Sequence, residues 1–291
     1  MTKRRKEYLV EVEDDGLLAD KVGPWAEDKY RRVAMYAEIF STGMKNVSPV
    51  RVYLDLFSGA GHAIIKETHK RVMASPLLAL SVPDRFSKYI FCEKSGPRID
   101  ALRRRAARIA PDSVIEYVEG DVNHEATRIA LLVPNHATGG RVLSFCFVDP
   151  FDLGIHFDTI AALSAGRSMD FLILLALGMD ATRNWTTYLE ADHPKVNRLL
   201  GDETWRSRWD GAKTKGTSLI QFLAAEYVTA MSRLGYLTVS IDEMIEIRTH
   251  DNNMRLYYLA FFSKNEKGYK FWREVQKYST EQLGFELPGA C

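Results

Sequence analysis

Apolar positions along the chain recur with two periods, and the change from one to the other lays out the elements. In residues 25–44, Val33, Tyr36, Ala37, Phe40 and Met44 return at helical spacing and Gly43 lies near the end, which predicts a helix. Asn46 to Pro49 reads as a linker. Short apolar runs then alternate with helical segments. Strands are expected over Val50–Phe57, Tyr89–Glu93, Val114–Glu119, Arg141–Val148 and Asp170–Ala176. Helices are expected over Ala60–His69, a shorter patch near Pro76–Leu80, Arg98–Ile109, His124–Val133 and Phe157–Leu163. The run ending at Val148 is apolar on both faces, as in a strand buried on both sides. Strands alternating with helices predict a parallel sheet covered on both faces.

The pattern changes after Leu177. Residues 181–212 are rich in Trp, Arg and Asp without clear strands and read as a small helical insert. Ser218–Leu234 reads as a helix ending at Gly235. Thr238–Arg248 and Arg255–Ser263 read as two strands joined by the turn-forming His250-Asp-Asn-Asn253. Gly268–Tyr278 is a final helix. The expected fold class is α/β: a parallel sheet closed by an antiparallel terminal strand, with an N-terminal helix and a helical insert. The organisation divides into an N-terminal helical extension (1–48), a core (49–180), the insert (181–215) and a C-terminal completion of the core (216–291).

Composition narrows the class more than the chemistry. The 291 residues are 46% hydrophobic and 26% charged, which suits one large globular domain. A net charge of +1 gives no electrostatic argument for nucleic acid. No run of roughly 18 apolar residues predicts a membrane span, and the basic start lacks the apolar stretch of a signal peptide. Cys92, Cys146 and Cys291 show no metal spacing, so free thiols and a reducing cytoplasm are expected.

Candidate chemistry gathers at strand ends. Asp55 ends the first strand, Glu93 the second and Asp149 the fourth, while Asp121 follows the third. Carboxyl ends of successive parallel strands line one cleft, where doubly wound sheets bind ligands. After Asp55 comes Ser58-Gly-Ala-Gly61, and Gly59 and Gly61 let the backbone approach a ligand closely. The turn lacks the full Gly-x-Gly-x-x-Gly pattern, since position 64 is Ile, which weighs against a nicotinamide enzyme. Glu93 has two oxygens able to accept from both hydroxyls of a ribose. Its neighbour Lys94 belongs to the same strand end. Asp121 can accept from an adenine amino group while Val122 packs on the ring. The plainer reading is that strand ends carry polar residues because they meet water.

Asp149-Pro150-Phe151 is similar to the motif of methyltransferases acting on exocyclic amines of bases, which carry Asp or Asn, two prolines and an aromatic at this strand end. There the acid and a proline carbonyl accept from the amine and the aromatic stacks on the base. One proline is missing here, so the carbonyl geometry need not carry over. Read plainly, Asp-Pro-Phe is a strand exit. Trp25 and Lys29 share a helix face that can fold over the cleft, with Trp25 as a wall and Lys29 at a carboxylate, although a solvated Lys and a core Trp are the commoner arrangement. Arg183 and Trp185 follow strand five, where substrate loops sit. Trp205, Arg206, Arg208 and Trp209 add aromatic and basic groups. The run Arg98, Arg103, Arg104, Arg105 and Arg108 reads as a solvated face, and His62 and His156 as structural histidines or proton carriers. The chain has no Pro-Cys dipeptide, which argues against a cytosine-C5 methyltransferase despite the Asp-Leu-Phe-Ser-Gly turn.

Taken in order, these segments resemble a bacterial family, the three-Cys-motif partner proteins (TcmP). The resemblance runs over roughly residues 20–275. It rests on Gly23-Pro-Trp25 with Lys29, YLDLFSGAG at 53–61, SPLLAL at 75–80, FCEKS at 91–95, EGDVN at 119–123, FVDPF at 147–151, Leu200-Gly-Asp-Glu-Thr-Trp205, and LYYLAFFSKN at 256–265. It implies a Rossmann-like fold of the kind that uses S-adenosylmethionine (SAM) for methyl transfer. SAM would be the cofactor, held by Asp55, Ser58, Gly59, Gly61, Glu93, Lys94, Asp121, Val122, Trp25 and Lys29. The chemistry expected from the Asp149-Pro150-Phe151 similarity is N-methylation of a nucleic acid base, with Asp149, Pro150 and Phe151 as catalytic residues and Arg183 and Trp185 at the substrate; the family resemblance itself carries over no substrate. It also implies a partner, a three-cysteine-motif protein that resembles radical-SAM proteins. A SAM-binding subunit without turnover is the alternative. The methyl acceptor and the oligomeric state stay open.

Overall fold

The computed structural model describes residues 8–135, 142–249 and 255–283. Its centre is a seven-stranded sheet. Five parallel strands are β2 (Val50–Asp55), β5 (Lys88–Glu93), β6 (Ile115–Glu119), β7 (Val142–Val148) and β8 (Ser168–Leu175). The sheet is completed by β9 (Ile245–Arg248) and β10 (Arg255–Phe262), in the order β6-β5-β2-β7-β8-β10-β9. β10 runs antiparallel to both β8 and β9. β2 pairs with β5 on one side and β7 on the other, so the strand order reverses beside Asp55. Such a reversal opens a crevice at the carboxyl ends of the strands.

Helices cover the sheet. α1 (Trp25–Met44), α2 (Ser75–Leu80), α3 (Gly96–Ile109), α4 (Val122–Leu132) and α5 (Phe157–Ser164) belong to the alternating part. A π-helical turn at Leu177–Ala181 leads into α6 (Thr182–Leu189), α7 (Pro194–Leu200) and α8 (Trp205–Thr214). α9 (Leu219–Arg233) and α10 (Glu266–Leu283) complete the set. Tyr36 on α1 anchors the aromatic core, with its ring 4.7 Å from Phe145 and 4.8 Å from Phe261. Its hydroxyl donates to Asp170 at 2.7 Å, a carboxyl that Ser263 also hydrogen-bonds. Among the described residues no helix is long and apolar enough to cross a membrane.

Two expected elements are different. Residues 60–69 are not a helix. They form β3 (His62–Ile65), which turns back into β4 (Arg71–Met73) and pairs in parallel with β1 (Asp20–Val22) in a separate three-stranded sheet. Gly59 and Gly61 take positive φ of 61° and 83°, and His69 turns the hairpin at φ 58°, so the chain cannot start a right-handed helix there. The pairing partner lies some 40 residues upstream, beyond any local pattern. The strand expected from Thr238 is confined to β9. Ser240 and Glu243 instead form a reciprocal cap on one short turn, Ile241–Glu243. The expected turn at 250–253, residue 141 of the fourth strand and Cys291 lie outside the described residues.

Candidate functional site

A cleft of about 730 Å³ opens at the carboxyl ends of the parallel strands. On one side the β2 exit loop is held by carboxylates. The Gly59 N–H donates to Glu93 Oε2 at 3.0 Å and the Ser95 N–H to Glu93 Oε1 at 2.8 Å. The Ala60 N–H donates to Asp20 Oδ2 at 2.9 Å, and Asp20 also pairs with Arg98 at 2.7 Å. A Cβ at Gly59 would sit 2.6 Å from Asp20 Oδ2, so a side chain there would displace the carboxylate that holds the Ala60 N–H, on top of the strain of its φ. The Ser58 N–H and hydroxyl both donate to the Cys92 carbonyl. Asp121 caps α4 by accepting from the Asn123 N–H at 3.1 Å and pairs with Lys94 at 3.2 Å. Val122 lines the cleft beside it.

On the other side stands Asp149, at the exit of β7. The Lys29 ammonium reaches it from α1, 2.5 Å from Oδ2, with Lys29 almost fully buried. Sequence reasoning weighed a solvated Lys29 as the commoner case; the structure buries it in the cleft. Trp25, one turn earlier, also lines the cleft, and its ring lies over Gly23, where a Cβ would come within 2.2 Å of it. Pro150 and Phe151 follow Asp149, and Phe151 is 81% exposed at the mouth. Their loop is pinned from three directions. The Leu153 N–H donates to Asp180 Oδ2 at 2.9 Å, Asn123 Nδ2 donates to the Gly154 carbonyl at 2.8 Å, and Lys195 pairs with Asp152 at 2.6 Å. Asp180 also accepts from Asn184 and Tyr188. Sequence reasoning missed Asp180, which has no motif around it.

Asp55 lies beneath the cleft floor, fully buried, accepting from the Tyr53 hydroxyl at 3.2 Å. Burial pushes its carboxyl up to about 7. The nearby Ser75 hydroxyl pulls the other way, while the charge of Asp149 adds to the rise. Gly61 is also off the cleft wall. Its missing Cβ leaves room for Leu102 and Leu77, so it packs helices rather than facing a ligand. Arg183 is exposed and Trp185 packs in the insert, 5.8 Å from Trp205 and 5.4 Å from Trp209; neither lines the cleft. Arg206 and Arg208 are bound within the insert, Arg206 to backbone carbonyls of Tyr188, Glu190 and His193, and Arg208 to Glu226 and Asp202.

The basic run on α3 is not simply a solvated face. Arg105 is buried and binds Asp15 and the carbonyls of Leu17, Leu18 and Ala60, so it ties the N-terminal segment to the β2 exit loop. His62 is buried beside it, and burial together with the Arg105 charge lowers its pKa to about 4. His62 and His156 both lie outside the cleft lining. Burial pushes the Cys92 thiol up to about 12, as suits an inert core group.

A seven-stranded sheet in this order, with β10 reversed and the ligand crevice beside the central strand, defines the α/β Rossmann-like fold of SAM-dependent methyltransferases. Neither a scan of protein-family models nor a search of curated proteins finds a match. Solved structures similar to this chain include an O-methyltransferase from Bacillus cereus in complex with SAH, 10% identical over 86% of this chain and 85% of that one, TM-score 0.45. A methyltransferase from Methanococcus maripaludis described as putative and SAM-dependent is 14% identical over 91% and 97%, TM-score 0.37. The Trm1 protein of Pyrococcus horikoshii, solved with S-adenosyl-L-methionine, is 9% identical over 82% of this chain and 57% of its own, TM-score 0.37. Matches of this strength say nothing of the reaction, and the strand order itself defines the fold.

Proposed function

We propose that this chain is a SAM-dependent methyltransferase acting on a nitrogen of a nucleic acid base. The observation that carries the reading is the meeting of Glu93 and Asp149 in one cleft, on the two strands that flank β2. The donor fits the residues present. Each Glu93 oxygen takes one backbone N–H, which leaves a lone pair on each for a ribose hydroxyl. Asp121 likewise keeps acceptor capacity, and Gly59 leaves its backbone open to close approach.

When bound, SAM supplies a methyl group on a sulfonium: the acceptor lone pair takes the methyl carbon, the carbon–sulfur electron pair returns to sulfur, and the acceptor nitrogen gives up one proton. Asp149 accepts a hydrogen bond from the amine, turns its lone pair inward and takes that proton. Lys29 holds Oδ2 and fixes the carboxylate, which leaves Oδ1 for the acceptor. Phe151 presents an apolar ring at the mouth for a base to stack on. Arg183 and Trp185 have no part in this reading.

The same ion pair favours a second reading. An ammonium on Asp149 also neutralises the group meant for the acceptor, as in a subunit that holds SAM without turnover and serves a three-cysteine-motif protein. Incubation with methyl-labelled SAM, followed by separation of DNA, RNA and protein, distinguishes the two. Label in nucleic acid supports the enzyme. No label anywhere, with the donor bound and the three-cysteine-motif protein co-purifying, supports the partner subunit. Failure to bind the donor removes both.

A further inference from the structure

Tyr257 is a buried cleft residue whose hydroxyl has no hydrogen-bond partner among the described residues. It is 5% exposed and stands on β10, in the wall of the cleft that also holds Leu174 of β8 and Asp149. A buried hydroxyl left unmade costs free energy, so its retention needs a reason. The pairing of β10 with β9 shifts register between Arg255 and Tyr257. Such bulges re-aim a side chain and recur beside active sites. Close by, the Asp149 carboxylate accepts Lys29 on Oδ2 only, and no described residue donates to its Oδ1.

Resting on the methyltransferase reading above, we infer that Tyr257 and Asp149 together grip a primary amine: the Tyr257 hydroxyl oxygen accepts one N–H and Asp149 Oδ1 accepts the other. The amine lone pair, the only part of the nitrogen left free, then faces the cleft. Tyr257 thereby replaces the carbonyl acceptor that a second proline would shape in Asp-Pro-Pro-aromatic motifs, and which Asp149-Pro150-Phe151 lacks. The inference restricts the acceptor class to groups with two N–H bonds, the exocyclic amines of adenine, cytosine or guanine. A monomethylated amine has one N–H left and cannot satisfy both acceptors, so the site stops after one methyl. Burial, with the Asp149 charge next, holds the phenol well above its ordinary pKa, so it stays protonated and neutral.

The test compares wild type with Tyr257→Phe, each saturated with S-adenosylhomocysteine, by calorimetry. The probes are nucleoside monophosphates in pairs that differ by the amine: adenosine against inosine, cytidine against uridine, guanosine against inosine. Wild type is expected to prefer at least one amine-bearing member by about 10-fold, and Tyr257→Phe to reduce that preference to about threefold or less. Melting of the free proteins supplies a readout without ligand. An orphan hydroxyl removed leaves the melting temperature unchanged or raised, whereas a structural hydroxyl lowers it. Failure to discriminate any pair, full discrimination by Tyr257→Phe, or a lowered melting temperature overturns the inference while the donor site stands. Failure of S-adenosylhomocysteine to bind wild type removes the methyltransferase reading itself, and this inference with it.

Discussion

The two walls of the cleft are built in different ways. The wall from β2, β5 and β6 binds its acids with backbone N–H groups: Glu93 takes those of Ser95 and Gly59, Asp121 that of Asn123 and Asp20 that of Ala60. Its backbone donors are already matched, while Glu93 and Asp121 keep acceptor capacity. The wall from β7, β8, β10 and α1 is assembled from afar. Lys29 and Asp149 are 120 residues apart, and Tyr257 comes from β10 with a hydroxyl that has no hydrogen-bond partner among the described residues. In the proposed function the first wall holds the donor. The second keeps unmade bonds, which is what a site for a reacting group needs.

The comparison predicts where substitutions do most. Asp149→Ala is expected to lower methyl transfer about 100-fold or more, the range of a positioned acid–base group, while S-adenosylhomocysteine binds as before. The measurement is label incorporated into whichever fraction accepts it. Unchanged transfer would sink the assignment of the acceptor wall. Loss of donor binding instead would mean that the walls are not independent.

Asp55 lies between the walls, and its effect is on stability. Its carboxyl is raised to about 7 from 3.8. Between these values the folded chain keeps a proton that the unfolded chain has lost, so this contribution to stability is full below the unfolded value. It is lost as pH rises, and levels off above the folded value. Asp55→Asn keeps an acceptor for Tyr53 and removes the titration. At about pH 8 the variant is expected to be more stable by about 2–4 kcal/mol, a gap that closes toward pH 4. Urea unfolding at both ends checks it, and a pH-independent difference refutes it.

How much of this was legible follows the same division. Asp55, Glu93, Asp121 and Asp149 fall at strand ends that hydrophobic periodicity locates, because a strand buried on both faces announces itself. The helix at Trp25–Met44 was equally plain. The sheet containing β3 was not, since its hairpin is stabilised by β1 and by the Arg105 network, both remote in sequence. Lys29 was a candidate to sit at a carboxylate in the cleft, but its partner Asp149, 120 residues away, carries no local mark of the pairing. Asp180 carried no signal, and Tyr257 stood only within the LYYLAFFSKN segment with no role attached to it. One pins a loop from the turn that precedes the insert, and the other follows a register shift in the pairing of β10 with β9. Trp185 misled: its aromatic–basic surroundings are a packed cluster of tryptophans.

On the matched wall, Glu93→Ala removes an acceptor shared by two backbone N–H groups and, in the proposed complex, by the ribose. The expected loss in S-adenosylhomocysteine affinity is about 10- to 100-fold, as for hydrogen bonds to a charged group. Calorimetry that finds unchanged affinity refutes the ribose role and with it the division of labour between the walls.

Gly59→Ala is the mildest of these changes and the sharpest test of rigidity. The residue sits at φ +61°, where an L side chain costs about 1–2 kcal/mol. Its new Cβ would press on Asp20 Oδ2, the oxygen that accepts the Ala60 N–H. Asp20 must then swing away from the loop or the loop must lift from Glu93, and either loosens the donor wall alone. Affinity for S-adenosylhomocysteine should fall about 10-fold, while the acceptor wall, which shares none of these bonds, keeps its preference for amine-bearing nucleotides once the donor site is saturated. Were that preference to disappear together with donor affinity, strain would be passing from the β2 loop into Asp149 through Asp55, and the walls would be one mechanical unit rather than two.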